Sequence, residues 1–438
     1  MGKRESFSNL VIANPKRYTS SSKTSDECLF PYYAGYSKEF TKQLLSTLSL
    51  GSGSVVLDPW NGSGTTTQAA SQMGLTSVGL DLNPVMVIVA KAALLPQHEV
   101  SSLIPLAQSL VEQAVVRDDH GIAEDPLCEW LLPESARFIR QLDSEINRTL
   151  VSHERYVHLT TEKTLNQISA LNAFFYVALF RAVRRLLKSF IPTNPTWIKR
   201  PAHSHQRKRP SRRVVHDVFI DEVRRLTQHL NRPRNPSVGE SGTATISLGN
   251  AEALSLPNAS IDAIITSPPY CTRIDYAVAT AIELSILRIN EELFNQLRRS
   301  LMGTSTVNAK VGSINRQWGA TCARFFDAVY EHPSKASQGY YYKNHYQYFE
   351  SLQSSITELT RVLKSQGSCI LVVQDSYYKD IHNDVPTIAT EMAKHAGMAL
   401  RRREDFASNR SMVSMNQRAK KYLLSRKTVE SVLCFERT

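Results

Sequence analysis

The strongest constraint on how this chain can fold is a repeated local grammar. A short, β-branched, almost wholly apolar run is followed by a turn rich in glycine or proline, and then by apolar residues at helical spacing. Ser54-Val55-Val56-Leu57 leads into Asp58-Pro59-Trp60-Asn61-Gly62-Ser63-Gly64-Thr65-Thr66, and Ile261-Asp262-Ala263-Ile264-Ile265 leads into Thr266-Ser267-Pro268-Pro269-Tyr270. Runs of this length and composition read as strands buried on both faces, as in a parallel sheet covered by helices. Both turns therefore fall at strand carboxyl ends. In an open α/β sheet that edge is where ligands bind, so two segments about 200 residues apart can face one another across one cleft.

The same alternation recurs along the chain with one large interruption. Phe40 to Leu48 is apolar at helical spacing, Thr65 to Met73 reads as a small-residue helix, Ser77 to Leu82 as a second strand, and Pro84 to Leu95 as a helix with proline in its first turn. From Gln97 to Ser241 no strand pattern appears, and Leu127 to Leu150, Thr164 to Phe190 and Asp217 to Leu230 read as helices. Strands then return at Ala244 to Leu248, Ile261 to Thr266, Cys369 to Val373, Met398 to Phe406 and Val429 to Phe435, with helices at Tyr346 to Leu363 and Pro386 to Ala396. The expectation is an α/β chain with a Rossmann-like seven-stranded sheet. Residues 1–96 and 242–438 form its split domain, residues 97–241 a large helical insertion, and residues 295–342 a smaller polar and aromatic insertion near the cleft.

Composition narrows the function classes. No apolar run approaches the ~18 residues a membrane span needs, and no apolar stretch follows the charged start, so neither a membrane role nor a secretory signal is expected. Six cysteines without CxxC pairing or ligand-like spacing to histidine suggest reduced cytoplasmic thiols and no metal centre. A net charge of +12 favours a polyanionic partner, because lysine and arginine gain affinity by displacing counterions from phosphates. The stretch 198–213 concentrates seven of these cations and two histidines among prolines and reads as a mobile basic loop.

Gly62 and Gly64 permit positive φ and close backbone approach, and a helix starting near Thr65 would aim amide donors into the turn. A nucleoside triphosphate loop would carry a lysine after Gly64, and Thr65-Thr66 stands there instead. Asp81, at the end of the second strand, is placed to accept two hydrogen bonds from a ribose. Together these indicate a nucleoside-containing cofactor.

The second turn suits an exocyclic amine. Two prolines fix φ and remove both backbone donors, leaving carbonyls to accept, while Ser267 contributes a hydroxyl and Tyr270 an aromatic face. An accepting Pro268 carbonyl and Ser267 side chain would hold the amine of cytosine or adenine, and Tyr270 would stack on a base flipped from a duplex.

On these residues the chain resembles the S-adenosylmethionine-dependent amino-methyltransferases of DNA bases, over about residues 28–95 and 243–437. The segment Asp58 to Thr66 is similar to the family's cofactor motif, with Trp60 where phenylalanine is commoner, and Asp81-Leu82-Asn83-Pro84 to its ribose-binding acidic motif. Thr266 to Tyr270 resembles the catalytic motif, and Phe30-Pro31-Tyr32-Tyr33-Ala34-Gly35-Tyr36 the segment that closes over the methionine end of the cofactor. Asn250 takes the place of the residue contacting the adenine ring, where aspartate is frequent. The resemblance implies S-adenosylmethionine as cofactor, with Tyr32, Asp58, Trp60, Gly62, Gly64, Thr65, Asp81 and Asn250 binding it and Ser267, Pro268, Pro269 and Tyr270 catalytic.

It also implies double-stranded DNA with a flipped base as substrate, restriction or defence proteins as partners, and target recognition by residues 97–241. Serine at the first catalytic position is more typical of enzymes acting on cytosine N4 than on adenine N6, and Cys271 does not occupy the Pro-Cys setting of cytosine C5 chemistry. The competing expectations are an adenine-N6 enzyme, an RNA methyltransferase of the guanine-N2 type, and a non-catalytic DNA-binding protein.

Overall fold

The structure is a computed structural model. It describes residues 7–16, 29–31, 35–114, 122–192, 197–231, 242–271, 274–307, 311–408 and 428–438. Tyr32, Tyr33 and Ala34, named from the sequence, lie outside the described residues.

Strands β1 (Val55–Asp58), β2 (Thr76–Asp81), β3 (Ala244–Leu248), β4 (Ile261–Thr266), β5 (Leu363–Gln374), β8 (Met398–Ser408) and β9 (Thr428–Arg437) form one seven-stranded sheet in the order β3-β2-β1-β4-β5-β9-β8. The Rossmann-like α/β class is thus as expected. The first five of these strands run parallel, and β9 pairs antiparallel with both β5 and β8. Strands β6 (Ser376–Tyr378) and β7 (Ile381–Asn383) make a separate hairpin that the apolar pattern did not announce. Successive connections leave β1 toward β2 on one side and arrive at β4 on the other, so the strand order reverses between β1 and β4.

The alternation of side chains sorts the core into two layers. Val56, Ala263, Ile265, Ile370 and Val372 face one layer together with Phe40 and Leu44 of helix α1 (Lys38–Thr47) and Ala69 and Ala70 of α2 (Thr65–Gln72). Leu57, Ile264, Cys369 and Leu371 face the other, under helices spanning Gly319–Glu331, Tyr342–Val362 and Val385–Ala396. Part of the stretch 295–342 packs into this core. Trp318, Cys322, Phe325 and Phe326 are buried there, and the weak periodicity arises because a short 3₁₀ turn at Arg316–Trp318 interrupts the helical spacing.

The stretch between β2 and β3 is helical throughout its longer elements. Helix α3 (Pro84–Ala92) starts with Pro84, and the Asn83 side chain accepts a hydrogen bond from Val85 N at 3.1 Å. It is followed by α4 (Leu103–Gln113), α5 (Pro133–Leu150), α6 (Ala170–Leu186) and α7 (Arg212–Leu230). Residues of all five share one continuous hydrophobic cluster, with α6 buried on every side.

A helix apolar all round carries charge only where that charge is paired. Arg181 Nε lies 2.7 Å from Glu222, and Arg184 Nη1 lies 2.9 Å from Glu283. Arg140 of α5 reaches out of the helical region, donating to the carbonyls of Ser285 and Ile286 and pairing with Asp125 and Asp143.

Within this region the basic stretch 198–213 is a folded connection, not a mobile loop. Lys208 N donates to Trp130 O at 2.8 Å and Leu132 N to Lys208 O at 3.0 Å, forming a β-bridge. Trp130 Nε1 donates to Lys199 O at 2.9 Å, Ser135 Oγ to Pro210 O at 2.9 Å, and Arg212-Arg213 already belong to α7. The prolines exclude regular structure, but backbone groups pinned by a buried tryptophan hold the segment in place. Five of its seven cations are exposed, and three of these, Arg200, Arg209 and Arg213, pair with Glu129, Glu134 and Asp217.

Candidate functional site

The first turn is built from β1 and the start of α2. Gly62 and Gly64 have φ of 48° and 81°, conformations natural to glycine. At Gly64 a Cβ would also come within 3.0 Å of Ala90. Asn61 N donates to Leu80 O at 2.9 Å and Gly64 N to Asn61 O at 2.8 Å, folding the turn over the end of β2. There the Asp81 carboxylate accepts from Gly62 N at 2.9 Å through Oδ2 and from Asn83 N at 2.8 Å through Oδ1. Each oxygen keeps lone pairs for a further donor. Burial pushes the Asp81 carboxyl up to about 6, against the opposing pull of those two backbone donors.

Asp58 lines the cleft and is also tied into the sheet. Its Oδ1 accepts from Thr266 Oγ1 at 2.6 Å and from Trp60 N at 3.2 Å, and its Oδ2 from Tyr36 OH at 3.2 Å. Tyr36 OH also sits 2.5 Å from Thr66 Oγ1 and 3.0 Å from the carbonyl of Ile265. This carboxylate clamps the β1 end to the β4 end and so fixes the spacing of the two turns. Burial pushes it, too, up to about 6.

A consequence can be measured. The folded state holds the Asp58 proton more tightly than the unfolded chain, whose value is 3.8, so stability is lost as pH rises from below 4 to above 6 and is level thereafter. A shift of that size is worth about 3 kcal/mol. Asp58→Asn keeps an acceptor for Thr266 without the charge; its thermal midpoint should change less over that window than the wild type's, with Asp81 still contributing its own share. Asp58→Ala, which orphans buried donors, should cost about 2–4 kcal/mol. Parallel pH curves for wild type and Asp58→Asn would refute this assignment.

The second turn leaves β4 with its acceptors divided. Pro269 O is taken by Tyr348 OH at 3.0 Å, whereas Pro268 O and the Ser267 hydroxyl have no hydrogen-bond partner among the described residues. The expectation that both proline carbonyls stay available is thus corrected for Pro269. The Tyr270 ring is held by its hydroxyl, which donates to Glu430 Oε1 of β9 at 3.0 Å. Gly303, with φ 78°, lies so close that a Cβ would meet Tyr270 O at 2.9 Å.

Both turns line one cleft of about 1250 Å3 including its open mouth. It gathers Asp58, Trp60, Gly62, Thr65 and Asp81 from the first turn and β2, Asn250 and Glu252 beyond β3, and Ser267, Pro268, Pro269 and Tyr270 beyond β4. Gly64 does not line it and acts through the turn's shape, opening α2 as its N-cap. Asn250 turns its side-chain oxygen back on Glu252 N at 3.0 Å, making an Asx turn at the end of β3. The residues fit a nucleoside: a ribose acceptor at Asp81, apolar walls from Trp60, Leu82, Met86 and Ile274, and a glycine turn that permits close approach.

Three contributors escaped the sequence reading. Tyr36 sat in a recognised aromatic segment, but nothing in the pattern showed that its hydroxyl reaches Asp58. Glu430 lies on the last strand, where one acid among apolar residues was the available signal. Arg184 lines the cleft from α6, and its signal was a cation inside an otherwise apolar helix.

Cys271 is buried in the core, with its sulfur 3.4 Å from His345 Nδ1 and 3.5 Å from Asn383 Nδ2. Burial depresses His345 to about 3, so it is neutral and the trio is packing rather than a nucleophile system. Among the described residues no group of three His, Cys, Asp or Glu side chains could hold a metal ion, and no helix is long and apolar enough to cross a membrane.

Comparison with known proteins agrees with this geometry. A DNA methylase family model for N6 and N4 enzymes matches residues 9–92, which carry Tyr36, the glycine turn and Asp81. The chain is 22% identical over 292 residues to the type II methyltransferase M.BsoBI of Geobacillus stearothermophilus, covering 63% of this chain and 55% of that protein, so it spans about half of that relative's length. It is 24% identical over 405 residues to the type II methyltransferase M.AvaI of Nostoc sp., covering 84% of this chain and 78% of that one. A solved S-adenosylmethionine-dependent methyltransferase of Methanosarcina mazei, 10% identical, covers 49% of this chain and 76% of its own with a TM-score of 0.22, too low to bear on the fold. The methylase match falls on the turn and acid that line the cleft, and the serine-proline-proline-tyrosine turn faces them across the sheet's point of reversal: over residues 9–92 the chain is similar to the N6 and N4 DNA methylases.

Proposed function

We propose that this protein transfers a methyl group from S-adenosylmethionine to an exocyclic base amine in double-stranded DNA, and that the amine is cytosine N4. The observation that carries the reading is the juxtaposition in one cleft of a ribose-accepting carboxylate, Asp81, with an acceptor pair, Ser267 Oγ and Pro268 O, that has no protein partner among the described residues.

The cofactor, when bound, supplies an electrophilic methyl on a sulfonium. The protein's part is to hold the nucleophile. Pro268 O and Ser267 Oγ accept the two amine hydrogens, which draws the nitrogen lone pair out of conjugation with the ring and aims it at the methyl carbon. The Ser267 hydrogen bond would also give the amine's surplus proton a path to solvent once the amine is methylated. Tyr270, its ring fixed by Glu430, stacks on the flipped base and offsets part of the few kcal/mol that unstacking costs.

The cytosine assignment rests on the resemblance, in which serine at the first catalytic position is more typical of cytosine-N4 than of adenine-N6 enzymes; the Ser267 hydroxyl itself could accept from either amine. The outward-facing cations of 198–213 supply phosphate contact, and with α4 to α7 they make residues 97–241 the candidate target-recognition region. Purified protein with methyl-labelled cofactor and duplex DNA should yield N4-methylcytosine on nucleoside analysis. Label in N6-methyladenine would replace the base assignment alone. Label in transfer RNA but not DNA, or in neither, would overturn the substrate or the activity.

A further inference from the structure

We propose that Arg184, carried into the cleft by helix α6, binds the carboxylate at the amino-acid end of the cofactor; the inference rests on the cofactor reading above. Charge points to it first. Among the described residues lining the cleft the carboxylates Asp58, Asp81 and Glu252 are accompanied by a single cation, Arg184. A zwitterionic amino-acid group brought into that cleft has no other positive partner there, and a buried carboxylate without one is costly.

The guanidinium is prepared for such a partner. Arg184 is only 7% exposed, and its Nη1 alone is used by the protein, donating to Glu283 Oε1 at 2.9 Å and to Ala279 O at 3.2 Å. Nε and Nη2 have no hydrogen-bond partner among the described residues, which leaves an edge of the fork that matches a carboxylate. The guanidinium carbon sits 5.6 Å from the Phe30 ring centroid, which fixes the plane of the fork. At such burial a DNA backbone phosphate would not reach it, whereas a group lying inside the cleft would.

The position along the sheet edge agrees. In the order β3-β2-β1-β4, Asp81 ends β2 and holds the ribose, with Asn250 beyond β3 on the adenine side. The rest of the cofactor must then extend toward β1 and β4. Arg184 bonds Ala279 and Glu283 in the segment that follows the β4 turn, and that segment crosses back to the β2 end, where Asn83 Nδ2 donates to Thr280 Oγ1 at 2.9 Å, so Arg184 overhangs the cleft between the two strand ends.

Calorimetric titration of the full chain tests this with two ligands. S-adenosylhomocysteine carries the carboxylate, and methylthioadenosine lacks the whole amino-acid group. Arg184→Gln should lower affinity for the former 10- to 100-fold and leave the latter within about twofold, which also certifies an intact adenosine site. Equal losses for both ligands would make Arg184 merely structural, and no loss for either would remove it from the site; each result overturns the proposal.

Should Arg184→Gln fail to fold, the wild type still decides. It should bind S-adenosylmethionine at least tenfold more tightly than decarboxylated S-adenosylmethionine, and equal affinities would overturn the assignment. A wild type that binds neither S-adenosylhomocysteine nor methylthioadenosine would instead overturn the cofactor reading itself.

Discussion

Asp81→Ala should lower S-adenosylhomocysteine affinity by two to three orders of magnitude, the largest binding effect expected of any single change in the cleft. A carboxylate accepting two ribose hydroxyls makes charge-assisted hydrogen bonds, each worth about 1.5–3 kcal/mol, and together they amount to about 3–4 kcal/mol or more. Alanine also releases Gly62 N and Asn83 N, which the same carboxylate anchors at 2.9 and 2.8 Å, so the glycine turn loses its seat.

The protonation state adds a signature. Burial raises the Asp81 carboxyl to about 6, so it is ionised above that pH and protonated below it. Because the ionised form accepts hydroxyl donors better, affinity should fall as pH drops from 7.5 through 6 to 5. Asp81→Asn, with no proton to gain, should bind more weakly throughout and show a flatter profile. Titration calorimetry across that range measures both; an affinity for the wild type that does not vary with pH would sink the assignment.

The second large effect concerns turnover. Under the proposed function Tyr270→Ala should reduce the methylation rate by 10²-fold or more while leaving cofactor affinity within a few-fold, since the ring would stack on the base and not on the ribose. Loss of a stacking face costs about 1–3 kcal/mol per base, and loss of base orientation adds to it. Tyr270→Phe separates the two roles. It keeps the face but deletes the hydrogen bond to Glu430 Oε1, leaving a buried carboxyl group unpartnered, with its ionised form already disfavoured by burial. Its expected loss is about tenfold. Single-turnover kinetics with saturating cofactor read the difference; a Tyr270→Ala variant that loses cofactor affinity as much as rate would mean the halves of the cleft have been exchanged.

Much of this cleft was legible before the fold was. Val56 and Leu57 face opposite layers, as any strand buried on both faces must, and an apolar run of that kind announces itself. Glycine at 62 and 64 and the proline pair at 268 and 269 record backbone requirements directly, which is why the turns were found. What the pattern could not carry was side-chain reach. Asp58 sits in a cofactor motif and also bonds Thr266, 208 residues away, and a contact of that separation leaves no periodic trace. Glu430 and Arg184 were hidden for the same reason. The basic stretch misled for another: proline content excludes helix and strand, but it does not say whether other backbone groups will tie the segment down, as Trp130 and Leu132 do at Lys199 and Lys208.

Helix α3 follows Asp81 almost directly, and its residues Val85 to Ala90 and Ala92 belong to the core built by α4 to α7. A wall common to two rooms cannot be moved with only one of them. Transplanting residues 97–241 from a relative would therefore import a core with no matching surface to close on. A workable chimera would take its upstream junction between Asn83 and Pro84, so that α3 travels with the transplanted core, and would leave the recipient only the strands and turns of the cleft.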